Sequence, residues 1–182
     1  MKPDDNFLIR DAVPEDAADI ARIHNAGWEY AYRGILSDEY LDSTLAKRMT
    51  TENIKKLTER LSSPNPGDIQ IVAVAGNTQI VGMLFYELKN DKYKSGGIYV
   101  DPKVIGTRVG YKLFNEFIRR IHETGHEKFW VSAASANKTV KIYEKMGGIK
   151  IREFIDTVYG NIPVTQYEFN VQDLIKRFKL KG

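Results

Sequence analysis

The chain has 182 residues, 27 Lys and Arg against 24 Asp and Glu, a net charge of +3 and no cysteine. That length is enough for one buried core, and a composition 42% hydrophobic and 28% charged excludes a disordered or fibrous chain. Without cysteine there is no disulfide framework, thiolate nucleophile or cysteine zinc site, and three histidines (His24, His122, His126) are too few for a histidine-rich metal centre.

The mild positive excess is weak as a nucleic-acid signal. No apolar run nears the ~20 residues of a membrane span, and Met1–Asn6 lacks the apolar core of a secretory signal. The expectation is a cytoplasmic protein with no metal, no nucleic-acid partner and no membrane partner.

Phe7–Arg10 reads as a short first strand. Pro14 with Glu15 and Asp16 opens a helix, because a missing N–H costs nothing there and acids complement the dipole. Ile20, Ile23 and Ala26–Gly27 keep helical spacing until the pattern ends near Trp28–Gly34. Ser37 caps a second helix, with Leu36 and Leu41 placed for a hydrophobic staple. Ile54, Leu57 and Leu61 mark a third, stopped by Ser62–Asp68.

Strand texture follows. Ile69–Ala75 and Thr78–Leu88 flank a hairpin turn at Gly76–Asn77. A polar loop at Lys89–Lys94 leads to a strand at Ile98–Val100. Val109, Leu113, Phe117 and Ile121 give a helix its apolar stripe. Lys128–Ala133 is a strand, and Asn137–Met146 a helix ended by Gly147–Gly148. Ile149–Val158 and Ile162–Phe169 form a last pair of strands around Gly160–Asn161, before a terminal helix at Val171–Leu180. In such a mixed α/β sheet, a ligand crevice opens beyond the strand ends of the central strand–helix–strand–helix stretch.

Two segments carry chemistry. In Ile98–Leu113 (IYVDPKVIGTRVGYKL) a strand ends at Asp101–Pro102, a loop holds Gly106, and a helix starts near Arg108–Gly110. Amides at a helix start have no internal partner and can hold a phosphate, small residues let the backbone approach it, and Arg108 adds a cation. An ordinary strand-to-helix turn accounts for the same residues equally well. In Asn137–Gly147 (NKTVKIYEKMG), Asn137 stands at an N-cap and Tyr143 follows roughly 9 Å along the axis, at ~1.5 Å per residue. Taken alone, that segment reads as a cap and a packed ring.

Together the two segments resemble the Gcn5-related N-acetyltransferase (GNAT) superfamily. Its pyrophosphate loop, Q/R-x-x-G-x-G/A, aligns with Ile105–Gly110 (IGTRVG): Ile105 takes the first position, Arg108 replaces the middle glycine, and Gly106 and Gly110 match common small positions. Asn137, Tyr143, Glu144, Lys145 and Gly147 fall where the family has N…YEK-x-G. Phe7–Ala21 resembles the opening strand and first helix, and Trp28–Leu41 is similar to the acceptor-side helices. The resemblance covers residues 7–170 of a single domain spanning 1–182, with 171–182 as a C-terminal helix and tail. It implies an α/β (α+β) fold, with a mixed, mostly antiparallel central sheet splayed in a V and helices on both faces.

The resemblance also implies an N-acetyltransferase that uses acetyl-CoA as co-substrate. The acceptor is a primary amine of a small molecule or protein, attacking directly in a ternary complex, and the enzyme is a monomer or homodimer. The pantetheine arm then lies along the main chain of Tyr99 and Val100. The pyrophosphate rests on Ile105, Gly106, Thr107, Arg108, Val109, Gly110 and Tyr111. Asn137 hydrogen-bonds the arm, and Tyr143 approaches the sulfur as the acid for the leaving thiolate.

Glu87 is one candidate for the base and Glu29, His24 and Tyr32 are others, each equally readable as a solvated charge or a packed residue, so the base stays unassigned. Trp28 and Tyr32, with Tyr30 and Tyr40, either shape an amine pocket or fill the core between helices and sheet. Lys89, Lys92, Lys94 and Lys103 either meet the nucleotide 3′-phosphate or form a solvated basic loop. The competing function is a catalytically silent acyl-CoA-binding sensor. A dinucleotide oxidoreductase is disfavoured, since no G-x-G-x-x-G follows an early strand.

Overall fold

A computed structural model describes residues 7–76, 78–157 and 160–180, apart from the side chains of Lys94 and Ser95. The expected turn residue Asn77 and the strand end at Val158 lie outside the described residues. Strand β1 (Phe7–Asp11) is followed by α1 (Ala17–Tyr32), α2 (Asp38–Arg48) and α3 (Thr51–Ser62), then by β2 (Ile69–Ala75), β3 (Gln79–Lys89) and β4 (Lys92–Val100). Helix α4 (Val109–Glu123), β5 (Lys128–Ala134), α5 (Val140–Lys145), β6 (Ile149–Asp156), β7 (Ile162–Asn170) and α6 (Val171–Phe178) complete the order.

The seven strands form one sheet in the order β1-β2-β3-β4-β5-β7-β6. Every neighbouring pair is antiparallel except β4–β5, which is parallel and meets at one register pair, Tyr93 with Phe129. Beyond it β3 stays paired to β4 as far as Val100, and β7 stays paired to β5 as far as Ala134. The two halves of the sheet therefore diverge at its centre, which is the V implied by the family resemblance.

Glycine makes the bend at β4 possible. A Cβ built on Gly96 would lie 2.2 Å from the Phe85 carbonyl oxygen and 2.4 Å from Tyr86 Cγ, and the β3–β4 register shifts between Phe85 and Glu87 beside it. Such a bulge turns the strand and re-aims its side chains.

Each face of the sheet is covered. On one, Leu113, Phe114, Phe117 and Ile121 of α4 pack with Tyr86, Phe129 and Phe169. Ring centroids there stand 5.0 Å apart for Phe117–Phe129 and 4.8 Å for Phe129–Phe169, spacings that add specific ring contacts to the burial. On the other, Ile20 and Ile23 of α1 and Leu61 of α3 cover Val72, Val74 and Met83. Ser37 caps α2 by accepting from the Tyr40 amide at 3.3 Å, and Leu36 and Leu41 are buried together with Trp28.

Three expectations need correction. The polar stretch Lys89–Lys94 is not a loop: Asn90 and Asp91 both take left-handed φ (51° and 57°), a two-residue turn that returns the chain into β4 at Lys92. Asn and Asp tolerate that conformation, so two residues suffice. Pro14–Asp16 forms a 3-10 turn, and α1 proper starts at Ala17. Asn137 is not the N-cap of α5, which starts at Val140. Its Oδ1 accepts from the Thr139 amide and hydroxyl, both at 2.9 Å, so it closes a side-chain turn ahead of the helix.

Candidate functional site

Where β4 and β5 part, a cavity of about 590 Å³ opens on the α1 face of the sheet. His24, Trp28 and Tyr32, four residues apart on α1, share the helix face that lines it. Alternation on β5 sends Phe129 and Val131 into the core and turns Trp130 and Ser132 toward the cavity. Phe85 and Glu87 of β3, Tyr99 of β4 and Asp156 of β6 complete the principal walls.

Tyr99 is the hub of this wall. Its ring lies so close to α1 that a Cβ on Gly27 would stand 2.7 Å from Tyr99 Cδ1. The Trp28 indole N–H donates to the Tyr99 hydroxyl at 3.2 Å, and the His24 ring is 4.3 Å away, centroid to centroid. Trp28 in turn packs on Tyr32 at 4.9 Å, under the Arg48 guanidinium at 4.7 Å from its ring centre. Trp28 and Tyr32 thus line the cavity and also fill the contact between helix and sheet. Tyr99, expected to act through its main chain, also gives this wall its side chain.

Burial, aided by the positive charges of Arg48 and Arg60, pushes the His24 imidazole down to about 3, so it is uncharged near neutrality. Glu87 faces the cavity with both oxygens engaged. Oε2 pairs with Lys89 Nζ at 2.5 Å and Oε1 with Arg60 Nη1 at 3.5 Å. Glu29 is drawn into an exposed cluster around Arg33, and Arg33 also holds Asp38 and Asp42.

The other side of the gap is built differently. Asp101 N–H donates to the Val81 carbonyl at 2.9 Å, and amides alternate sides along a strand, so those of Ile98 and Val100 point away from β3 toward the gap. After β4, Asp101 accepts from the Lys103 amide at 3.0 Å and meets Arg22 at 3.5 Å, tying the following loop to α1. Gly106 (φ 92°) and Arg108 (φ 64°) both take left-handed backbone, and Arg108 is the N-cap of α4. Arg108 therefore holds a backbone conformation that glycine adopts more readily than arginine. The first bond after it is Lys112 N–H to the Arg108 carbonyl at 3.0 Å, which leaves the Val109, Gly110 and Tyr111 amides ahead of the helical ladder. Ile105 and Tyr111 are exposed there, and the Thr107 hydroxyl donates to the Val104 carbonyl at 2.7 Å.

Tyr143 on α5 is half-buried, its ring 5.6 Å from Tyr167 and 6.5 Å from Phe169. Burial first, then the neighbouring Tyr99 and Tyr167 phenols, raise its hydroxyl above the ordinary phenol range. Asn137 is buried. Of the four lysines expected to cluster, Lys89 and Lys92 stand opposite each other in the β3–β4 register, Lys89 pairing with Glu87 and Lys92 lying 5.8 Å over Trp130; Lys103 lies in the loop before α4, and the Lys94 side chain is outside the described residues. Sequence reasoning missed Arg48, Trp130 and Asp156. Only the period-2 pattern of β5 offered a signal, and only for Trp130. Among the described residues, no group of three or more His, Asp or Glu is placed to hold a metal, and no helix is long and apolar enough to cross a membrane.

The family profile described as "Acetyltransferase (GNAT) domain" matches residues 29–168, more than three quarters of the chain. The chain belongs to the acetyltransferase (GNAT) family. Acetyl transfer, the reaction class expected from the sequence, follows from that membership. The matched stretch holds Glu87, Tyr99, the Ile105–Tyr111 loop, Asn137 and Tyr143, and stops one residue short of Trp28.

A curated spermidine N(1)-acetyltransferase of Thermoplasma acidophilum is 24% identical over 108 residues, taking in 59% of this chain and 66% of that enzyme's length. Among solved structures, the PaiA N-acetyltransferase of Thermoplasma acidophilum in complex with coenzyme A superimposes with TM-score 0.70 at 18% identity, covering 90% of this chain and 99% of that one. A GCN5-related N-acetyltransferase from Rhodopseudomonas palustris gives TM-score 0.71 at 21% identity, covering 91% and 96%. These structural likenesses show the fold.

Proposed function

We propose that this chain binds acetyl-CoA in the gap between β4 and β5 and passes the acetyl group to a primary amine held in the cavity beneath α1, working as a single cytoplasmic domain. The observation that carries the reading is the gap itself: a strand edge with the Ile98 and Val100 amides turned into it, and Tyr143 packed nearby. A ligand rich in amides pairs with such an edge as an added strand. The Val109, Gly110 and Tyr111 amides at the start of α4, with Arg108, suit a pyrophosphate. Asn137 serves the arm. The absence of cysteine suits a reducing compartment.

Acetyl-CoA supplies an activated thioester. The amine nitrogen forms a bond to the carbonyl carbon, the C–S bond breaks, the amine gives up one proton and the thiolate takes one. The Val100 amide is the donor for the developing oxyanion. Tyr143 remains protonated throughout the physiological range. Its phenol is normally a weaker acid than a thiol, about 10 against about 8.5, and burial weakens it further. Its contribution is therefore a hydrogen bond to the sulfur as charge develops, rather than a downhill proton transfer. Glu87 receives the amine proton through solvent, with Lys89 holding the carboxylate in place.

Thiol release from acetyl-CoA over a panel of amines, with product mass, tests the reading. Tyr143→Phe is expected to lower turnover by about tenfold or more, roughly the value of one such donor, while acetyl-CoA binding persists. Unchanged turnover removes Tyr143 from this role. Binding of acetyl-CoA without turnover on any amine favours the silent sensor.

A further inference from the structure

A second cavity, about 420 Å³, lies between α1, α2 and α3. It shares His24, Thr44, Arg48 and Phe85 with the acceptor cavity, so the two meet end to end at those residues. Four cations line the second end: Lys47 and Arg48 from the last turn of α2, and Lys56 and Arg60, one turn apart on α3. No carboxylate is among its described lining residues. The acids that meet two of these cations, Glu52 at Lys56 and Glu87 at Arg60, stand outside the lining.

We propose that the acceptor is an amine that also carries an oxyanion, a carboxylate or phosphonate-like group, with the oxyanion docked at Arg48 in the basic end and the amine directed toward Glu87 and Tyr99. The inference rests on the acetyl-transfer reading and narrows it to a substrate class.

Arg48 is prepared for this role. Nη1 donates to Asn25 Oδ1 at 2.7 Å and the guanidinium is stacked over Trp28, so its fork is oriented in advance at the junction of the two ends. A planar guanidinium recognises a two-oxygen anion through paired hydrogen bonds. Arg60 adds a buried Nε without a hydrogen-bond partner among the described residues. The local field is positive enough to matter to a neighbour: Arg48 and Arg60 both help to keep His24 uncharged, after burial. A polyamine would bring a second ammonium to the same place, against like charge. A plain alkylamine would bring no anion to the basic end.

The test uses calorimetry on the full chain saturated with coenzyme A, which cannot turn over, and amines matched in chain length: alkylamine, α,ω-diamine, ω-amino carboxylate and ω-aminoalkylphosphonate. The expected result is binding of at least one oxyanion-bearing amine about tenfold or more tighter than the alkylamine, the diamine weakest, with the advantage shrinking as salt rises. Which oxyanion gains identifies the group. Arg48→Gln should erase the advantage. Lys47→Glu, on an exposed position, should reduce it and serves where loss of the Arg48–Trp28 contact unfolds the chain. Equal binding of the alkylamine, tightest binding of the diamine, or an advantage that survives both variants overturns the proposal. The same amines in the thiol-release assay separate the two readings. Turnover on alkylamines or diamines alone sinks this inference and leaves acetyl transfer standing. Absence of turnover on every amine sinks acetyl transfer, and with it the acceptor role, while the binding order still shows whether the basic end takes an oxyanion.

Discussion

At the β4–α4 end of the cleft the groups that face the gap are largely main chain: the Ile98 and Val100 amides and those that lead α4. Beneath α1 they are side chains, drawn from α1, α2, α3, β3, β5 and β6. A backbone wall is tied to the fold and cannot be altered one residue at a time, whereas a side-chain wall can be rewritten without moving a strand. One end therefore suits a ligand that every member of a family shares, and the other a ligand that differs between members.

The comparison can be broken at three points. The largest effect is expected at the backbone wall. Gly96→Ala places a methyl 2.2 Å from a carbonyl oxygen and 2.4 Å from a buried ring, neither of which is the end of a flexible side chain. Urea unfolding should show a loss of about 4 kcal/mol, or no folded protein. A loss under about 1 kcal/mol would mean that the edge yields, and that the backbone wall is not as fixed as argued.

His24 sharpens the contrast from the side-chain wall. Its folded value, about 3, lies below the ordinary 6.5, so as pH falls below 6.5 the unfolded chain takes up the proton first. The stabilisation from keeping His24 neutral is complete above that value and is lost as pH falls toward 3. Relative to His24→Phe, the wild-type protein should lose up to about 3 kcal/mol of unfolding free energy between about pH 7 and about pH 4. Both proteins share their carboxylates, so the difference isolates the imidazole. A pH-independent difference would mean that the recess is wetter and less positive than described.

The smallest effect belongs to Arg108. A left-handed arginine costs ~1–2 kcal/mol, and glycine costs roughly 0.5–1 kcal/mol in unfolded-state entropy. Arg108→Gly should therefore change stability by no more than about 1 kcal/mol, while the lost cation raises the KM for acetyl-CoA a few-fold. A large loss of stability would show that the side chain, and not only its backbone conformation, holds the loop.

Elements with a local signature were legible in the sequence. The Ser37 cap, the Leu36–Leu41 pair, the α4 stripe and the alternating strands each depend on neighbours a few residues away, and the structure has them where expected. The main-chain end was legible for the same reason, since one loop and one helix start build it. The β3–β4 turn escaped because Asn90–Asp91 has no glycine to announce left-handed backbone, and five polar residues around Tyr93 look like a loop. The start of α5 was placed two residues early because the Asn137 side chain satisfies Thr139 before the helix begins. The basic recess was invisible. Arg48 and Arg60 lie in amphipathic helices where cations are expected on the solvent side, and only the packing of α2 and α3 against α1 turns them inward together.

The one rung that joins Tyr93 to Phe129 has a thermal consequence. With β4 and β5 laddered at one position, the halves of the sheet rely on flanking helices to stay in register, and under the proposed binding mode a strand-like guest in the gap adds rungs. Such a guest strengthens the whole fold through mass action, by ~2.7 kcal/mol at a hundred times its dissociation constant. Heat resistance in this chain should therefore track the concentration of its thioester.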